Sequence, residues 1–229
     1  MNPDPLARYI QRLPTLITFF FSVMLVTFFR ELMVTFQLTT NPTFDWSTPG
    51  HALVVVSFVA TMFFVVAVWL SYSLLIERFP YTLDYSVFLF DVARFSVLYM
   101  IFSFAFLAGH PPEYYFFMLG LALFHAMMAG WHGYRLRHIQ GPERAERAAD
   151  VRGHLLRSGT YLGLAVIYVV TVTLRWDAAQ PWAIHTALVI ITCALLVFWN
   201  ARRLGEMKAK ALAAQAAAKQ QQAAAAAAK

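Results

Sequence analysis

The feature that most constrains this chain is a recurrence of long apolar runs. They fall at about 14–36, 52–76, 84–108, 112–133, 158–175 and 182–201 of 229 residues. A helix rises about 1.5 Å per residue, so roughly 20 apolar residues cross the hydrocarbon core of a bilayer. The composition agrees, with 60% hydrophobic residues and 13% charged. Soluble domains carry about a quarter charged residues. A mean hydropathy of +0.57 is too high for one soluble core. The expectation is an all-α integral membrane protein, a bundle of six transmembrane helices. The first run is too long for a signal-peptide core and no A-x-A site closes it, so it reads as a retained helix. The fifth run is the shortest.

The arginines orient the bundle. Basic residues precede run 1, occur at Arg78, and crowd the linker between runs 4 and 5 (Arg135, Arg137, Arg144, Arg147, Arg152, Arg157). They return after run 6 as Arg202, Arg203, Lys208 and Lys210. The alternate linkers 37–51, 109–112 and 176–181 contain none. Basic residues collect on the cytoplasmic side, so both termini are expected in the cytoplasm. This asymmetry accounts for the formal charge of +6 without a nucleic-acid partner. Every Lys lies in the final tail while Arg is spread along the chain, a usage that suits a high-GC bacterium and hence its inner membrane. Most of the six Trp residues fall near expected helix ends, as an aromatic belt would.

Two units follow: residues 1–201 as the transmembrane domain, and 202–229 as an Ala/Gln/Lys-rich cytoplasmic helical tail. Leu204, Met207, Ala211, Ala214 and Ala218 keep a 3-4 spacing that would suit a helical assembly seam; the other reading is a frayed polar helix. The linker 37–51 is a turn-rich external cap. The linker 134–157 is cytoplasmic and is broken at Gly141-Pro142, with a short surface helix over 143–156.

Charge inside the apolar runs is the main functional clue. An ionisable side chain in a bilayer is costly, and it faces a protein interior or a water path and has a partner. Asp91 and Arg94 lie three residues apart on one helix face. Asp84 lies on the same face two turns away, and alone it reads as a helix N-cap. The functional reading makes these residues the lining of an ion or proton path. The structural reading makes Asp91 and Arg94 a buried pair that specifies helix packing. In run 1, Arg30 can snorkel to the external interface, whereas Glu31 reaches water less easily and is expected to face inward.

The histidines are where a cofactor would bind. His125 and His132 share a face of run 4, and His185 opens run 6. His125 lies roughly 20 Å below the outer surface and His185 about 5 Å, so they are mismatched for bis-His haem. Haem b then requires His125 paired across a subunit interface. Otherwise His125 is an interior histidine or a partner of Asp91, at comparable depth. His132 is expected at the solvated inner interface, and His154 in the cytoplasmic linker. No zinc motif is present. The single Cys193 excludes an internal disulfide and a thiolate cluster. Gly159-x-x-x-Gly163, with Gly130 and Gly133, suggests close helix approach.

No Walker A loop, G-x-S-x-G elbow or dinucleotide turn occurs, so no catalytic residue, metal or cofactor is assigned. The short linker between runs 5 and 6 has no room for a potassium-type filter, and run 4 lacks the repeated arginines of a voltage sensor. Three functions remain. The first is an oligomeric channel or transporter for an ion, proton or small solute, lined by Asp91, Arg94, His125 and Glu31. The second is an accessory subunit of a membrane complex, docking a partner through its intramembrane charges and holding anionic lipid head groups with its basic linker and tail. The third is a membrane redox enzyme with haem b, or a lipid-modifying enzyme.

Overall fold

The computed structural model describes residues 48–78, 85–137 and 140–227, with 15, 18, 19, 21–27, 29, 30, 33 and 34 of the first run. Asp84 and Glu31 lie outside the described residues. The long helices are α1 (Pro49–Arg78), α2 (Tyr85–Phe104), α3 (Tyr115–Leu136), α4 (Pro142–Thr171) and α5 (Trp182–Ala227). Among the described residues there is no strand. Among the described residues, five segments are long and apolar enough to cross a membrane: Gly50–Ser73, Leu89–Gly109, Pro111–Leu136, Arg144–Ala179 and Trp182–Ala209. Residues 21–27 of the first run are also helical. That segment packs on the others, with the Phe21 ring edge-on to Phe95 of α2 at 4.8 Å and Phe29 beside Phe58 of α1 at 6.3 Å.

The helices run up and down, and each buries a stripe with the 3-4 spacing of left-handed helix packing. On α3 the stripe is Met118, Leu121, His125, Met128 and His132; on α4 it is His154, Tyr161, Ala165, Tyr168 and Val172. These two stripes form the most extensive seam in the molecule. α5 contributes His185, Val189, Thr192 and Leu196, and packs on α1. The outward faces are apolar: Val56, Val59 and Val66 on α1, Leu162, Val166 and Val170 on α4, Ile190, Ile191 and Phe198 on α5. Water would not tolerate that much continuous apolar surface, and lipid does.

Several buried polar side chains are silenced locally. Thr61 donates to the Ser57 carbonyl at 2.7 Å, Thr192 to Leu188 at 2.7 Å, and Asn200 to Leu196 at 2.6 Å. Each bonds one turn back along its own helix and needs no partner across the bundle.

Three sequence expectations are corrected. The linker 134–157 is helical over 143–156, as expected, but that helix does not stand apart from run 5. From Pro142 onward it is the first half of α4, one helix of 30 residues, entered through Gly141 at φ 80°. Pro142 sits in its first turn, where the missing N–H has no helical partner to lose. The tail is helical, as expected, but it is not a separate element: nothing between Trp182 and Ala227 breaks a helix of 46 residues. Finally, a Cβ added at Gly130, Gly133, Gly159 or Gly163 would meet nothing within 4 Å, so these glycines do not mark close approach within the chain. The close approaches are at Gly109, whose Cβ would meet Val54 Cγ2 at 3.0 Å, and Gly120, whose Cβ would meet Ile101 Cγ1 at 3.0 Å.

Candidate functional site

One end of the bundle carries most of the arginines, and there the interior is polar. α2 enters at this end and brings Asp91 and Arg94 inside within its first three turns. Their spacing of three residues allows the ion pair: Arg94 Nη2 lies 3.1 Å from Asp91 Oδ1. Tyr72, near the end of α1, donates its hydroxyl to Asp91 Oδ2 at 3.0 Å. The guanidinium lies over the Tyr72 ring at 4.4 Å and near Phe95 at 5.2 Å, with Nη1 4.0 Å from the Met128 sulfur of α3. Asp91 is 3% exposed and Arg94 2%. Arg94 Nε has no hydrogen-bond partner among the described residues.

Beside this pair the α3–α4 seam holds three imidazoles. His125 Nδ1 and His154 Nδ1 are 3.0 Å apart. Two Nδ1 atoms at that distance share one proton, so in the neutral pair one ring carries hydrogen on Nδ1 and the other presents a lone pair. His154 stacks on His132, 5.3 Å between centroids and 17° between planes. His125 stacks on Tyr161 at 5.7 Å and 4°, and Tyr161 meets Trp199 of α5 edge-on at 5.4 Å. All three histidines are buried. Both ring nitrogens of His132, and the Tyr161 hydroxyl, lack a hydrogen-bond partner among the described residues. The charges acting on His132 are those of Arg203, Arg147, Arg135 and Arg94, one from each of α5, α4, α3 and α2. Arg147 also reaches Asp150 at 3.5 Å.

The opposite end is held by a different device. His185 Nε2 meets the Ala108 carbonyl at 2.9 Å, its Nδ1 meets the Tyr168 hydroxyl, and that hydroxyl also meets the Pro111 carbonyl. Thr173 donates to the Pro112 carbonyl at 2.9 Å. α4 and α5 thus grip the turn between α2 and α3, whose backbone carbonyls the 3-10 geometry leaves open. This is a structural clasp.

Of the residues singled out in the sequence, Asp91 and Arg94 are joined directly, and His125 is buried one helix away, hydrogen-bonded to His154. Arg30 is exposed. Sequence reasoning missed His154, assigned to the cytoplasmic linker, and His132, assigned to solvated interface; both are in the core, at 3% and 1% exposure. It also missed Tyr72 and Tyr161. The signal was present in the sevenfold spacing His154–Tyr161–Tyr168, which continues the apolar stripe of run 5 back into the linker.

The arrangement bears on cofactors. Among the described residues no three His, Cys, Asp or Glu side chains are placed to hold a metal ion; the histidines are strung along a seam and do not converge. His125 is 3% exposed, with Tyr161 on one ring face and His154 at Nδ1. Comparison with protein-family models, curated proteins and solved structures gives no match.

Proposed function

We propose that this chain is a multi-pass membrane protein that passes an ion, a proton or a small solute along its polar interior. The observation carrying the reading is the concentration of ionisable groups inside an apolar shell: the Asp91–Arg94 pair with Tyr72, against the imidazoles of His125, His154 and His132. Such groups at membrane depth are expensive, and in transporters they form relays or paths. Six spans, both termini in the cytoplasm, a bacterial inner-membrane location and assembly into a homo-oligomer complete the proposal. In that topology the arginine-rich end faces the cytoplasm, where its outer guanidiniums meet anionic head groups. Glu31 belongs to the proposed path by its sequence position alone.

The test is ion flux in proteoliposomes. Flux is expected from the wild-type protein, and His125→Ala, which removes one of the buried imidazoles lining the proposed path, is expected to reduce it. Protein that passes no ion at any pH sinks the reading. A second reading, an accessory subunit, is favoured by α5. Its 46 residues give a helix of about 69 Å, more than twice a bilayer core. The excess length is a ready docking element, and co-purification of a defined partner that is lost on deleting 209–229 would support it.

A further inference from the structure

The unpartnered polar atoms near His132 are the strongest unexplained feature of the molecule. Arg94 Nε and both His132 nitrogens are buried and have no hydrogen-bond partner among the described residues. An unsatisfied buried donor retains its full desolvation penalty, so such groups in native proteins hold a water, an ion or a ligand. The two residues are neighbours through Met128, which touches Arg94 Nη1 and lies one turn before His132 on the same face of α3. What they offer is chiefly donors: a guanidinium N–H that can only donate, and an imidazole with at least one N–H. The guanidiniums of Arg203, Arg147, Arg135 and Arg94 all act on His132; Asp91 offsets Arg94 and Asp150 offsets Arg147, which leaves positive charge in excess. Donors within a cationic, low-dielectric surround select for negative charge, and arginine is the residue suited to it.

From this juxtaposition we infer that His132 and Arg94 Nε–H form an internal binding site for a small monovalent inorganic anion of chloride size. At 1–2% exposure the two side chains are out of reach of a lipid head group. The site gives the passage reading its permeant class and rests on that reading for its physiological meaning, whereas binding itself is independent of flux.

The experiment uses the full chain purified in neutral detergent with gluconate as the only anion. Chloride is titrated at constant ionic strength while thermal unfolding is followed. The melting temperature is expected to rise with the logarithm of chloride concentration, by about 2–5 °C well above the dissociation constant. His132→Phe keeps a ring against His154 and removes the donors, so it should fold and lose the chloride response. Should His132→Phe fail to fold, saturable chloride-35 line broadening in the wild-type protein reports binding without a variant. Identical behaviour in chloride and gluconate, by melting and by line broadening, overturns the site. So does a chloride response retained in folded His132→Phe. Free phosphate and phosphatidylglycerol micelles are run in parallel; stabilisation by the lipid and not by chloride assigns the arginines to head groups and also overturns the site. Chloride binding without flux keeps the site and removes the passage reading, while flux without chloride binding does the reverse.

Discussion

Asp91 and Arg94 illustrate what a buried charge demands of its surroundings. Each alone would be prohibitive in an apolar bundle, and together, with Tyr72 on the second carboxylate oxygen, they compensate each other's charge and leave Arg94 Nε unpartnered among the described residues. Asp91→Asn and Arg94→Gln are each expected to lose on the order of 3–5 kcal/mol, because either change leaves the other charge unpaired. The double variant should lose less than the sum in denaturant unfolding, and strict additivity would show that the two do not interact. His154 allows a cleaner test of a single polar contact. His154→Phe preserves a ring to stack on His132 but leaves His125 Nδ1 without its partner, at a loss of about 1–3 kcal/mol. Unchanged stability would show that the imidazole pair is incidental to the fold.

At the scale of elements, the glycines divide by what faces them. Gly109 and Gly120 sit where neighbouring helices approach closely. Gly109→Ala and Gly120→Ala push a methyl to 3.0 Å from Val54 and Ile101, and each should destabilise by about 1–3 kcal/mol. Gly159 and Gly163 face open space within the chain, so Gly159→Ala and Gly163→Ala should be neutral or gain up to about 1 kcal/mol from helix entropy. Melting temperatures of the four variants in detergent check this, and a large loss at Gly159 or Gly163 would reveal a second chain packed there. Near the start of the tail, Met207, part of the expected assembly seam, already lies against Ser71 of the same chain at 3.5 Å. That position serves the bundle.

For the whole molecule, the outward apolar faces and inward charges invert the pattern of a soluble protein. Arg135 of α3, Arg147 of α4 and Arg203 of α5 all act on His132. The topology prediction belongs at this scale: a reporter fused after Lys229 should be active in the form that requires the cytosol. Activity of a periplasmic reporter there would refute the six-span arrangement.

Membrane class, the approximate helices and the Asp91–Arg94 pair were legible in the sequence because each is a local property. Transfer free energy adds up along a run of residues, and an i, i+3 pair shares a helix face wherever that helix packs. The site around that pair was not legible. His125 and His154 are 29 residues apart, and their contact depends on the rotation of α3 against α4. Placing His154 in a loop hid it: the polar first half of α4 fails any test of apolar length, yet it is helical because it continues a packed stripe. Tyr72 reaching Asp91, and glycines that matter at 109 and 120 but not at 159 and 163, were likewise decided by how the helices pack, since close packing sets which surfaces meet and local sequence sets only which surfaces exist.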